Sequence, residues 1–228
     1  MLDPIVIGQV LTPQYSPALV ALSYLVSFAG SLTALMCASR MLHASGPARF
    51  SMLACAAVAL GGIGIWSMHF IGMLAYKLPV PIVYEPLLTS GSLVAAVLIS
   101  GIALYLAGGR RKFSKPGWIA ASVLAGLGIC VMHYMGMYAM QLRAAMEMDL
   151  RVMAMSMGIA VTAAAAALWL AFHTSSFARQ MVSAAVMALA VCAMHYVGMH
   201  AATMVCSAPT ATQGLTLSET DLVMVVFS

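Results

Sequence analysis

An all-α transmembrane architecture is expected of this chain: six complete helices, paired as three repeated helical hairpins in a pseudo-threefold bundle, plus the start of a seventh helix. Three observations lead to it. Hydrophobic residues make up 63% of the 228 residues and charged residues only 7%, with a mean hydropathy of +1.01, whereas soluble domains carry about 25% charged residues. Six apolar runs reach the roughly 20 residues needed to cross a bilayer. One six-residue phrase occurs three times: Met68-His69-Phe70-Ile71-Gly72-Met73, Met132-His133-Tyr134-Met135-Gly136-Met137 and Met194-His195-Tyr196-Val197-Gly198-Met199.

Each repeat joins a plain apolar helix to a helix that carries the phrase near its C-terminal end. Residues 17–41 and 50–76 give the first hairpin, 87–107 and 117–141 the second, and 152–172 and 181–204 the third. An even number of spans per repeat makes the repeats parallel rather than inverted and gathers the phrase-bearing helices near the centre. A further apolar run begins at Asp221 and reaches Ser228, which is too short to span. The expectation is therefore one membrane domain over residues 1–228, with 221–228 the first part of a helix that continues into a longer protein.

Basic residues set the orientation, because cytoplasmic loops concentrate Lys and Arg. Arg40, Arg49, Arg110, Arg111, Lys112, Lys115 and Arg179 flank the first, third and fifth connections. The other side has Lys77, Arg143 and Arg151, together with all six acids: Asp3, Glu85, Glu147, Asp149, Glu219 and Asp221. The N-terminus is thus expected outside and the end of a seventh helix in the cytoplasm. No cleavable signal peptide is visible, since no positive segment precedes the first apolar run. The net charge of +4 belongs to the inner loops, and no basic patch interleaved with aromatics points to nucleic acid. Each histidine is expected seven to ten residues before the outer end of its helix, about 10–15 Å below the outer surface at the helical rise.

Residues four apart share a helix face, so His69 with Met73, His133 with Met137 and His195 with Met199 point the same way. Met68, Met132 and Met194 lie about 100° to one side of their histidines. Gly72, Gly136 and Gly198 fall between that Met and the His, where a small residue lets neighbouring helices approach. Phe70, Tyr134 and Tyr196 lie to the other side and read as supporting groups.

Three imidazoles and up to six thioethers in an apolar setting suit a soft metal. Thioethers favour Cu(I), and imidazole serves Cu(I), Cu(II), Zn and Fe. Mg and Ca need oxygen ligands, zinc more usually takes Cys, His and carboxylate, and haem would use His and Met as two axial ligands. Copper fits best, ahead of zinc or haem. The structural alternative makes each His an interhelical hydrogen bonder and each Met a gap filler; three copies in register weigh against it.

Cys130 and Cys192 stand three residues before their histidines and read as small buried hydrophobes; Trp66 holds that place in the first repeat. An odd total of five cysteines argues against a full disulfide framework. His200 is either an auxiliary ligand or interfacial packing. His43 and His173 are expected at solvated helix ends, and Tyr76 near the rim of the site. A copper transporter or a metal-binding membrane oxidoreductase is the rival class, but transporters usually carry ionisable residues within spans, and all sixteen here fall in loops or at helix ends. A structural membrane anchor is the remaining reading. No nucleophile–base pair, phosphate loop or carboxylate dyad suggests an enzyme.

The repeated phrase resembles the signature of the MHYT domain, a bacterial integral-membrane sensory module named for Met-His-Tyr-Thr, and the resemblance covers essentially the whole chain. Phe70 departs from the Tyr position, and Ile71, Met135 and Val197 replace the Thr. The resemblance implies copper bound through Met68, His69, Met73, Met132, His133, Met137, Met194, His195 and Met199. It also implies sensing of a diatomic gas (oxygen, carbon monoxide or nitric oxide) or of redox state. It further implies the bacterial inner membrane and a covalently linked cytoplasmic GGDEF/EAL or kinase domain, with which a homodimer is compatible.

Overall fold

The computed structural model describes residues 7–108, 114–142, 144–173, 176–207 and 215–227. Six helices are long and apolar enough to cross a membrane: α1 (Pro17–Met41), α2 (Gly46–Ala75), α3 (Pro86–Gly108), α4 (Lys115–Tyr138), α5 (Leu150–His173) and α6 (Phe177–His200). A short helix, α7 (Glu219–Phe227), follows. The all-helical, six-span expectation therefore holds.

Local chemistry starts these helices. Proline occupies the first turn of α1, α2 and α4, where its missing N–H costs nothing. At α3, the Glu85 carboxylate accepts from the backbone N–H of Leu87 at 2.9 Å and of Leu88 at 2.6 Å. Asp149 accepts from Arg151 N at 2.8 Å to start α5, and Ser114 Oγ from Gly117 N at 3.2 Å in α4. Each contact satisfies a donor that the helix itself leaves unpaired. At the far end of α3, Arg49 donates to the Gly108 carbonyl at 2.9 Å.

Within α2, residues Val58–Ser67 form a π-helical segment containing Gly61, Gly62 and Gly64. Backbones touch here: a Cβ at Gly30 of α1 would stand 2.6 Å from Ala59 O and Gly64 Cα. Ser67 Oγ donates to Gly62 O at 3.0 Å, five residues back. Among the described residues this widened turn occurs in the first repeat only, and it ends one residue before Met68.

The phrase-bearing helices end earlier than expected. Tyr76, Met140, Gln141 and residues 202–204, expected to be helical, lie in strands. The strands are β1 (Val10–Leu11), β2 (Gln14–Tyr15), β3 (Tyr76–Lys77), β4 (Val83–Tyr84), β5 (Met140–Gln141), β6 (Ala144–Met148) and β7 (Ala202–Cys206). They pair antiparallel as β1-β7-β6, β2-β3 and β4-β5. The physical reason is a change of period. In β6, exposed Ala145 and Glu147 alternate with more buried Ala144, Met146 and Met148, the two-residue repeat of a strand, and Met146 pairs with Met204. The histidines consequently sit five or six residues before their helix ends, about 8–9 Å deep along the helix, under a cap of strands.

Charge sorts by end. Arg40, Arg49, Lys115 and Arg179 lie at helix ends remote from the strands, whereas Lys77, Glu85, Glu147, Asp149, Arg151, Glu219 and Asp221 lie at the strand-capped end. Asp3, Arg110, Arg111, Lys112, Arg143 and Ser228, which the sequence reading also used, lie outside the described residues. α7 begins at the capped end and packs on the last part of α2. Its Leu222 is fully buried, and Glu219 pairs with Lys77 at 2.7 Å.

Candidate metal centre

α2, α4 and α6 deliver three imidazoles to one point. His69, His133 and His195 are each completely buried. Their Nδ1 atoms form a triangle with sides of 3.0 Å (His69–His195), 3.1 Å (His133–His69) and 3.4 Å (His195–His133). The rings stand nearly perpendicular to one another, at 80–89°, with centroids 4.9–5.2 Å apart. No Asp, Glu or Cys joins the cluster among the described residues.

Hydrogen bonding alone cannot satisfy this triangle. A neutral imidazole nitrogen carries either a proton or a lone pair. Among three mutually contacting Nδ1 atoms at least two must match, so at least one side opposes two lone pairs or two N–H groups. A cation at the centre removes the conflict by accepting all three lone pairs. The centre lies about 1.8 Å from each nitrogen, close to the roughly 2.0 Å of a metal–imidazole bond. The donor set therefore fits a single buried metal ion held by Nδ1 atoms.

The opposite ring nitrogens explain the glycines. A Cβ at Gly136 would collide with Nε2 of His69, one at Gly198 with Nε2 of His133, and one at Gly72 with Nε2 of His195. Each histidine of the first, second and third phrase thus sits on the glycine of the next, and the third closes back on the first. The sequence reading gave these glycines to close helix approach; the structure sharpens this to seats for neighbouring imidazoles. The Nε2 atoms of His69 and His195 are buried without a hydrogen-bond partner, while the imidazole of His133 has the Gly198 backbone as a polar neighbour. The opposite nitrogen of a ligating His normally faces a carbonyl or carboxylate; a backbone group stands in that place at His133, from Gly198.

The six methionines of the phrases are all buried to within 1% of complete burial and share one core cluster with Phe70 and Tyr134. The imidazole triangle itself is formed without them. The aromatic residue after each His stands edge-on to it, with centroids 4.8–4.9 Å apart and planes at 75–87°.

The tyrosine hydroxyls reach outward to the plain helices. Tyr134 OH bonds Ser156 Oγ of α5 at 2.8 Å, and Tyr196 OH bonds Ser23 Oγ of α1 at 3.1 Å. Ser23, Ser92 and Ser156 are each the seventh residue of their helix. Phe70 cannot make the equivalent bond. Trp66 makes it instead, donating from Nε1 to Ser92 Oγ at 3.0 Å and to Thr89 O at 3.2 Å. Trp66 at the cysteine position and Phe70 at the tyrosine position are thus one compensated exchange. Sequence reasoning missed the three serines; a hydroxyl 23 residues after His69 and again after His133 was the available signal.

Cys130 and Cys192 are buried, as expected of small hydrophobes. His200 is exposed, bonds the Tyr196 carbonyl at 2.8 Å and stacks on Tyr15, away from the triangle. His43 and His173 are exposed at helix ends. Tyr76 is buried in β3 and meets Tyr15 edge-on at 5.5 Å.

Six spans around a buried three-imidazole centre define a multi-pass membrane domain with a candidate metal site. The chain belongs to the MHYT family, whose model, "Bacterial signalling protein N terminal repeat", matches residues 62–121 and 126–184. It is 40% identical over 197 residues to the bifunctional diguanylate cyclase/cyclic di-GMP phosphodiesterase MucR of Pseudomonas aeruginosa, covering 84% of this chain and 28% of that protein. It is 35% identical over 205 residues to the cyclic di-GMP phosphodiesterase NbdA of the same organism, covering 87% and 25%. It is 30% identical over 196 residues to the signaling protein YkoW of Bacillus subtilis, covering 83% and 24%. The chain thus spans about a quarter of the length of these relatives. No solved structure matches it.

Proposed function

We propose that this domain binds copper through Nδ1 of His69, His133 and His195, senses a diatomic gas or redox state there, and signals to a cytoplasmic output domain. The observation that carries the reading is the triangle of Nδ1 atoms, which a cation satisfies and hydrogen bonds do not. The apolar surroundings and six buried methionines favour a soft, low-charge ion such as Cu(I) over a hard one. Met68, Met73, Met132, Met137, Met194 and Met199 are proposed as thioethers available when coordination changes. Bound copper supplies a reversible site for a diatomic ligand or an electron. The chain's own residues position the imidazoles on glycine seats and exclude water.

Signal output has a physical route. α7 packs on the part of α2 that carries His69, and its Leu222 is buried in the core cluster that also holds Phe70 and Met73. A rearrangement of the first phrase therefore bears directly on α7. We place the strand-capped end outside and the continuation of α7 toward the cytoplasm, with residues 1–228 acting as one sensory unit in a bacterial inner membrane. The names of the relatives make cyclic di-GMP synthesis or breakdown the favoured output.

Infrared spectroscopy of the copper(I)-loaded chain under carbon monoxide tests the reading. A C–O stretch that needs both copper and the three histidines is expected; copper-loaded protein with no such band contradicts gas sensing at this site.

A further inference from the structure

A largely enclosed cavity of about 40 Å³ lies inside the bundle. Ile65, Ile129 and Val191 line it, each four residues before its histidine, so it begins one helical turn, about 6 Å, beneath the imidazole triangle. Ala34, Ala103 and Ala167 line it from the plain helices, each eleven residues after the equivalent serines Ser23, Ser92 and Ser156. All six helices therefore contribute equivalent residues, which puts the cavity on the pseudo-threefold axis.

The lining is almost wholly apolar, with Ser100 its one polar side chain. A buried water needs two to four polar partners, so the space is dry. It offers roughly three times the volume that one water requires, and dry apolar cavities take up small apolar guests such as xenon. Access from lipid is short: a groove along α5 past Met155, Gly158 and Thr162 shares Ala163 with the cavity. Ala163 thus lines both the lipid-facing groove and the cavity on the axis.

We propose that this chamber is a binding site for a small apolar gas molecule, entering past Ala163 and held on the axis directly beneath the metal centre. The proposal deepens the gas-sensing reading above and rests on it for its purpose, but not for its test. The chamber confines a gas within one helical turn of the site where it is read, and leaves ions and water outside.

Xenon is the probe. The full chain in lipid nanodiscs is examined by 129Xe NMR, and crystals under xenon pressure locate the atom, with copper content measured on the same preparation. One xenon between Ile65, Ile129 and Val191 is expected in copper-free and copper-loaded protein alike. Filling the space with Ala103→Leu should abolish it; Ala167→Val, a smaller insertion, is the second variant, and both are read only when circular dichroism shows the native helix content. Absence of xenon from the chamber of the folded wild type, or its persistence in the filled variants, overturns the proposal whatever the copper content. Xenon on the axis of a chain that cannot hold copper upholds the chamber and overturns the metal reading instead.

Discussion

The imidazole of His195 is seated on Gly72, where a Cβ would overlap its Nε2 atom. This contact, repeated by His69 on Gly136 and His133 on Gly198, ties the position of each ring to the neighbouring helix. Gly72→Ala should push His195 out of the Nδ1 triangle. Overpacking of this kind costs about 1–3 kcal/mol, and copper affinity should fall with it. Thermal unfolding and a copper titration of the three Gly→Ala variants check this. An alanine at Gly158, inside α5 with open surroundings, serves as the control: it should leave copper affinity unchanged and, if anything, raise stability by about 0.5–1 kcal/mol through helix propensity.

The outward hydroxyl bonds give a second expectation. Tyr196→Phe removes the bond to Ser23, and Tyr134→Phe the bond to Ser156; each should cost about 0.6–1 kcal/mol in a membrane helix bundle. Trp66→Cys alone should cost at least as much, because it also empties a large buried site. Adding Phe70→Tyr places a hydroxyl opposite Ser92. A double-mutant cycle on Trp66 and Phe70 should therefore show favourable coupling; additive losses would mean that the exchange is not compensated.

Docking of α7 should depend on burial rather than on charge. The Lys77–Glu219 pair is 46% and 41% exposed, and exposed ion pairs contribute about 0–1 kcal/mol. Leu222 is fully buried, and truncating such a side chain typically costs about 2 kcal/mol or more. Hydrogen exchange over residues 219–227 should accelerate strongly in Leu222→Ala and little in Glu219→Gln. The reverse order would mean that the ion pair holds the helix.

The start of α7 should also be sensitive to acid. Ser218 Oγ donates to the Asp221 carboxylate at 2.7 Å and Ser218 N at 2.9 Å, while Asp221 N donates back to Ser218 Oγ at 3.2 Å. These bonds hold the Asp221 carboxyl below its usual range, the Ser218 side chain contributing most and its backbone next. A depressed folded-state value means that the stabilisation is fully present above the unfolded value of 3.8 and fades as pH falls through the lower, folded value. Exchange of the first-turn amides should rise in that acid window in the wild type and lose its pH dependence there in Ser218→Ala.

Much of this was legible in the sequence because the membrane imposes simple rules. Six apolar runs gave six spans, and three phrases in register brought His69, His133 and His195 together. Helix ends were less legible: a run such as Met140-Gln141 or Ala202-Thr203-Met204 is apolar enough to extend a span, and only strand pairing across the cap shows that it leaves the helix. Side-chain seats between helices were also hidden. A periodicity argument placed Gly72 beside its own His69, but its partner is His195, brought by the fold from 123 positions away. Likewise Trp66 looked like a break in the repeat until Ser92 stood opposite it.

Metal analysis combined with X-ray absorption on the purified, copper-loaded chain bears most directly on the imidazole triangle. One copper per chain with three nitrogen neighbours near 2.0 Å is the predicted result, lost in the folded His69→Ala/His133→Ala/His195→Ala variant. Undiminished copper in that variant, or a coordination sphere of sulfur without imidazole nitrogen, would contradict it.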